Sequence, residues 1–309
     1  MRPREVAPAG KWTGSPVSGV AAPLPLILPD PRRRFAATAT RLASLAPQNP
    51  AEPWLRFMEQ LAWGQHEAAV SCVTHGAPDP ARLAEAVEQR LAPLEACASA
   101  LDPSWQDCLT RVLDYLRHRA LTAETQAIVA DLSRQHPGAW DELAEAFVND
   151  NVQVHQLGAT VYVTAALQVH FTTLASRLTA DALRLLPQRG LCPVCGSTPV
   201  AGIVTASGRT PGSRYLHCSL CSSAWNHVRA VCINCGQAGK LSLQAIEGQP
   251  GPVKAETCGH CGTYSKVLYE REDTRLDPVA DDLATLGLDM LAGEAGWSRH
   301  APNPLLLVG

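Results

Sequence analysis

Apolar residues recur at helical spacing from residue 31 to residue 186, and the alternation that marks strands appears only beyond residue 200. Pro31 stands where a helix can begin, and Phe35, Ala39, Leu42 and Ala46 mark one face of it. Pro53 opens a second helix, with Trp54, Met58, Leu61, Ala62 and Gln65 on one stripe. Shorter helices are predicted over 80–92, 104–119 and 122–134; the middle one carries Trp105, Leu109, Val112 and Leu116. Another is predicted over 139–149, where Trp140, Leu143 and Phe147 recur. The breaks between them, at 76–80, Asp102-Pro103 and 136–138, hold Pro, Gly and Asp. The longest run covers 154–186, with Leu157, Val161, Ala165, Leu178 and Leu185 facing the core. Its β-branched segment 160–164 would suit a strand, but the length and alanine content around it favour a helix. Leu186-Pro187 ends the run.

Beyond residue 188 the pattern changes. Strands are predicted over 201–205 and 214–217, and again over 241–246 and 253–257, with 267–270 continuing outward. A last helix is predicted over 277–292, packed back on the helical body. The first 31 residues are rich in proline and glycine and have no helical period. They read as a tail that becomes an extended strap near 24–31, laid on the helices. The apolar run at 20–28 is interrupted by Pro23 and Pro25, so it is neither a signal-peptide core nor a membrane span. The expected organisation is a tail (1–31), a mainly α domain (32–187), two ribbon modules (188–230 and 231–275), and a C-terminal helix with its tail (276–309).

The chemistry is concentrated in the ribbons. Four Cys-x-x-Cys pairs occur there: Cys192/Cys195, Cys218/Cys221, Cys232/Cys235 and Cys258/Cys261. Twenty-two residues separate the first pair from the second and the third from the fourth, and Cys192 to Cys232 repeats as Cys218 to Cys258. This is a two-fold internal repeat, which Gly196/Gly236 and Gly208/Gly248 also obey. Two Cys-x-x-Cys turns complete a tetrahedral four-sulfur site for zinc or iron. Glycine after the second cysteine, at Gly196, Gly236 and Gly262, suits the positive φ of such a knuckle. The repeat assigns Cys192, Cys195, Cys218 and Cys221 to one ion and Cys232, Cys235, Cys258 and Cys261 to a second. The rival is a cross-brace, first pair with third and second with fourth, which gives the equal spacing within each unit no reason. A forty-residue unit buries too little to fold alone, so a structural role for the metal is the plainest one. Disulfides would require a secretory context that the N-terminus does not suggest, and four pairs in register argue against a thioredoxin-like redox pair.

Charge narrows the functional classes. The net charge is -3, which attracts neither nucleic acid nor anionic lipid. Between 188 and 270 seven Lys/Arg face three Glu, and two divalent ions with eight thiolates offset that excess. Zinc-ribbon binding of nucleic acid is thereby disfavoured. Eight of eleven cysteines stand in metal-type pairs, which fits a reducing cytoplasm. Cys72, Cys97 and Cys108 read as packed thiols, and His66, His118, His155 and His170 as ordinary core or surface histidines. His217, His227 and His260 lie beside complete cysteine sets and are not needed as ligands; His260, inside a knuckle, is placed to donate to sulfur. Trp225 and Tyr264 follow their knuckles and are expected to shield the ions. Arg32, Arg33 and Arg34 stand at a helix start, where a solvated face is the plain reading.

The sequence holds no P-loop, dinucleotide glycine fingerprint, G-x-S-x-G elbow or H-E-x-x-H motif, and no catalytic constellation or small-molecule site is visible. The runs CPVCGSTPV (192–200), RYLHCSLCSSAWNHVRAVCINCG (214–236), KAETCGHCGTYSKVLY (254–269) and DPVADDLATLGLD (277–289) resemble the FdhE-type formate dehydrogenase accessory proteins of bacteria. RLASLAPQNP (41–50) and FMEQLAWGQ (57–65) resemble them more weakly. The resemblance implies a cytoplasmic, non-enzymatic maturation factor or chaperone for respiratory, molybdenum-dependent formate dehydrogenase, with the catalytic subunit as partner. It also implies iron at rubredoxin-like sites formed by the same eight cysteines, whereas spacing alone admits zinc equally. The alternative is a rubredoxin-like iron protein that transfers electrons or senses oxidants.

Overall fold

The computed structural model describes residues 21–71, 79–94, 101–248 and 251–306. Cys72, Cys97 and the tail before residue 21 lie outside these. Among the described residues seven helices form the N-terminal body: α1 (Pro31–Leu45), α2 (Glu52–Ser71), α3 (Pro80–Gln89), α4 (Trp105–Arg117), α5 (Ala123–Leu132), α6 (Pro137–Val148) and α7 (Leu157–Ala175). Proline at the first helical turn and an Asp cap start two of them. Asp30 accepts from the Arg32 amide and Asp79 from the Ala81 amide.

Helix α7 is the centre of the body. Every residue from Thr160 to Thr173 is buried, as expected for a helix without a polar face. Helices α2, α4 and α6 pack around it. Two of its threonines bond back to the preceding turn, Thr160 to the Gln156 carbonyl and Thr173 to that of Val169, while the Thr164 hydroxyl is buried without a partner. The β-branched segment is therefore helical, as its surroundings predicted. The helix stops at Ala175, well short of residue 186. The Arg177 and Leu178 amides bond three residues back, to Leu174 and Ala175, which tightens the last turn. Thr179 is already extended, and a short 3-10 turn at Ala180–Ala182 leads toward the first ribbon.

The strands are β1 (Leu26–Ile27), β2 (Pro199–Val204), β3 (Arg214–Cys218), β4 (Ala224–His227), β5 (Leu241–Gln244), β6 (Val253–Cys258), β7 (Thr263–Tyr269) and β8 (Ser298–Arg299). They form one sheet in the order β1-β4-β3-β2-β7-β6-β5, with β8 added to β7. Each ribbon is antiparallel within itself. The two are fused by a parallel pairing of β2 with β7, in the register Gly202↔Val267, Ile203↔Leu268 and Val204↔Tyr269. Local alternation does not reveal that pairing, nor β4. The strap also differs from expectation: it lies on the sheet, with Leu26 opposite Trp225 and Ile27 opposite Ala224. An edge strand with open hydrogen bonds offers the strap partners that a helix surface lacks.

The C-terminal segment forms two short helices instead of one, α8 (Ala280–Ala284) and α9 (Leu286–Glu294), broken at Thr285. The buried Lys266 ammonium donates to the Asp282 and Thr285 carbonyls, 2.8 and 3.1 Å away, and so satisfies the break. Helix α8 packs on α1, while α9 packs on β6 and β8. Ion pairs fasten this wedge to both neighbours. Arg34 and Arg41 of α1 hold Asp277 and Asp281 at 2.8 and 2.6 Å. Lys266 reaches Asp282 and Asp289 at 3.2 and 2.6 Å, and Arg299 joins them. Arg34 is thus an inward clamp and not part of a solvated face. Among the described residues no helix is long and apolar enough to cross a membrane.

Candidate metal centres

The eight paired cysteines gather as two quartets, each from one half of the repeat. Cys192, Cys195, Cys218 and Cys221 form the inner quartet, and Cys232, Cys235, Cys258 and Cys261 the outer; within each, the sulfurs lie within 4.8 Å of one another. The crosswise arrangement is not adopted.

At the inner quartet Cys192 lies 3.5 Å from Cys221 and Cys195 lies 3.4 Å from Cys218, sulfur to sulfur. All four side chains are at most 3 % exposed. Knuckle amides point at the sulfurs, from Val194 to Cys192 and from Leu220 and Cys221 to Cys218. The helical body holds both knuckles. The Leu94 amide donates to the Val194 carbonyl at 2.9 Å. Gln168 of α7, itself bonded to Gln65, donates to the Ser219 carbonyl at 2.8 Å, and the Thr172 and Ser222 hydroxyls are 3.1 Å apart. Ser222 occupies the position that glycine fills in the other three knuckles, with φ +58°. The left-handed conformation is unfavourable for serine, and the bond to α7 offsets it.

At the outer quartet Cys232–Cys261 and Cys235–Cys258 are each 3.8 Å apart. Cys232 and Cys258 are buried, but Cys235 and Cys261 are half-buried. Among the described residues no helix of the body is hydrogen-bonded to these knuckles. Cys261 is 3.1 Å from the Thr263 hydroxyl, and the exposed Asn234 amide stands 3.8 Å from its sulfur. Gly236 and Gly262 have φ +71° and +70° and open space where a side chain would stand.

The donor sets fit a tetrahedral thiophilic ion. Metal–sulfur bonds of about 2.3 Å place sulfurs about 3.8 Å apart, and a disulfide needs about 2.05 Å. Without an ion the sulfurs share protons. Burial pushes the Cys192 and Cys218 thiols up. Cys195 is driven down because bonds from Cys192, Cys218 and Cys221 outweigh its burial. Burial likewise pushes Cys232 up to about 12, whereas Cys261 is held at about 6, bonds led by the Thr263 hydroxyl overcoming desolvation. Several protons must therefore leave when an ion enters, and affinity falls as pH falls.

Among the described residues no histidine joins either quartet. His227 accepts from the Arg214 guanidinium at 2.8 Å through Nδ1; burial, then the Arg214 charge, lowers it to about 4, so it is a neutral acceptor. Arg214 also bonds Glu256 and the Val228 and Val231 carbonyls, which ties the first ribbon, the linker and the second ribbon together. His217 lines a cavity between the strap, α1 and the sheet, and is pushed to about 4 by burial and then by Arg34. His260 is exposed. Trp225 is buried and donates to the Arg189 carbonyl, and the Tyr264 hydroxyl donates to Asp289. Cys108 is packed in the helical core. Sequence reading missed Gln168, Thr172, Ser222 and Thr263. The absence of glycine after Cys221 alone was a signal, because serine with positive φ requires a partner.

The chain matches three family models in succession: FdhE, N-terminal, over residues 23–187; FdhE, central domain, over 191–229; and FdhE, C-terminal domain, over 230–306. It is 37% identical over 294 residues to the protein FdhE homolog of Edwardsiella ictaluri, covering 94% of each chain. To the protein FdhE homolog of Proteus mirabilis it is 34% identical over 285 residues, 91% of each. The crystal structure of the FdhE protein from Pseudomonas aeruginosa superimposes with a TM-score of 0.83 at 32% identity, over 92% of this chain and 99% of that one. With the helical body, both tetracysteine ribbons and the C-terminal wedge all matched in order, this chain belongs to the FdhE family.

Proposed function

We propose that this chain is a cytoplasmic accessory factor, not an enzyme, needed to make active respiratory, molybdenum-dependent formate dehydrogenase. It docks on the catalytic subunit of that enzyme through the sheet that carries the two quartets. The eight cysteines hold two ions, iron by preference and zinc as the alternative, and the ions keep the ribbon knuckles rigid so that one fixed surface meets the partner. Family membership over nearly the whole chain, with both quartets intact, is the observation that carries this reading. The test has two parts. A strain lacking this protein is expected to lose formate dehydrogenase activity; full activity would overturn the proposal. The purified chain is expected to retain the catalytic subunit in a pull-down, and the Cys192→Ser/Cys232→Ser double variant to retain little. Equal capture by the metal-free variant would remove the role given to the ions.

A second reading, one-electron transfer or oxidant sensing at rubredoxin-like iron, is supported by the half-buried Cys235 and Cys261, which bring one site within reach of a redox partner. Metal content and the absorption spectrum of freshly purified protein decide it. A colourless sample holding only zinc excludes it.

A further inference from the structure

We propose that the outer quartet is an exchangeable, occupancy-controlled site, whose thiophilic ion leaves and returns while the rest of the chain stays folded and the inner ion stays locked. This rests on the reading that both quartets bind metal and does not depend on which enzyme is the partner.

The difference lies in access and in anchorage. Exchange at a four-sulfur ion starts when an entering ligand reaches the metal and one sulfur leaves with a proton from water. At the inner quartet every cysteine is at most 3 % exposed. Both knuckles there are also bonded to the helical body through Leu94, Gln168 and Thr172. Exposing that ion requires separating the first ribbon from α7, a sub-global opening. At the outer quartet Cys235 and Cys261 already meet solvent, and the neighbouring Asn234, Gly236, Gly259 and His260 are exposed or half-exposed. An incoming chelator or thiol can displace Cys261 or Cys235 without moving any strand. In the balanced step the chelator takes the ion and the released sulfurs take up protons; nothing is oxidised.

What remains after the ion leaves is also set by the sheet. Strands β6 and β7 stay paired, β7 stays bonded to β2, and Lys266 keeps its bonds to α8 and the α8–α9 break. The first outer knuckle is held by the bridge Val231↔Ala238, by Arg214 at the Val231 carbonyl, by Asn234 at the Thr263 hydroxyl and by the Gly259 amide at the Lys240 carbonyl, none of which comes from the helical body. Ion loss therefore loosens 232–240 and the 258–262 turn only. The surface bearing Asn234, Lys240 and His260 would then be presented in one shape when the site is filled and not when it is empty.

The test uses the full chain loaded with cobalt(II), with 4-(2-pyridylazo)resorcinol as the competing chelator. The expected result is biphasic release: one ion leaves about 100-fold faster than the other, because only the inner one waits for sub-global opening. N-ethylmaleimide added after the fast phase, followed by peptide mass analysis, is expected to label Cys232, Cys235, Cys258 and Cys261 and to spare the inner four. Far-UV circular dichroism should be unchanged at that point. Release of both ions in one phase, retention of both in the folded protein, or first labelling at Cys192–Cys221 would overturn the proposal. Failure to take up two cobalt ions, read from absent sulfur-to-cobalt absorption before chelator is added, would instead overturn the metal reading beneath it.

Discussion

The two halves of the repeat carry the same four-cysteine spacing and nearly the same ribbon, yet one quartet is a joint and the other an outpost. The inner set sits where the first ribbon meets α7, and its knuckles take hydrogen bonds from three places in the helical body. The outer set stands beyond the sheet's second half, with two of its sulfurs half-buried and its glycine turns facing open space. A metal site contributes to a fold in proportion to what comes apart when it is lost. At the inner quartet that includes the interface of two structural units, and at the outer quartet two loops.

The sharpest test of this contrast replaces one ligand on each side. Cys218→Ser is expected to abolish a cooperative thermal melt, since a structural ion in a small ribbon supplies on the order of 10 kcal/mol of apparent folding energy. Cys261→Ser is expected to lower the midpoint by roughly 5 °C. Equal effects would erase the distinction. Next is Lys266→Met, which leaves Asp282 and Asp289 with Arg299 as their one cation, beside the neutral donors Asn303 and Tyr264. A loss of about 3 kcal/mol in urea unfolding is expected.

Gly190→Ala acts at the seam between the ribbons. A Cβ there would stand 1.9 Å from the Ile233 carbonyl oxygen, a backbone atom that must move. About 2 kcal/mol should be lost, and the knuckle bearing Cys232 should shift in a cysteine-accessibility assay. Acid probes the same seam through His227, whose value falls from 6.5 to about 4 on folding. The folded state resists protonation, so this contribution is complete above pH 6.5 and is lost as pH drops toward 4. Over that window the midpoint should fall less steeply in His227→Gln than in the parent. The smallest effect is expected of Thr172→Val, which removes the partner of Ser222 at a cost of about 1 kcal/mol. Its cobalt release should speed up at the inner quartet and stay the same at the outer.

Both quartets and their partition were legible from spacing, because a Cys-x-x-Cys turn is a local device and the forty-residue step repeats. Helices α1, α2 and α4 were equally plain, since each shows one apolar stripe between proline or aspartate boundaries. The misplaced features are those whose partners lie far along the chain. The break at Thr285, stabilised by Lys266, and the strap's position on β4 depend on groups about 20 and about 200 residues away. Arg34 looked solvated because Asp277, which turns it inward, stands 243 positions later.

By itself, then, the order of residues determined which sulfurs could share an ion, that a helical body precedes two ribbons, and which family pattern the chain follows. Identical local motifs cannot say which of two sites is enclosed, for enclosure is a property of what packs against the motif. Only the tertiary structure decided that α7 covers one quartet and solvent borders the other, because the parallel joining of β2 to β7 sets the second ribbon outward from the helices.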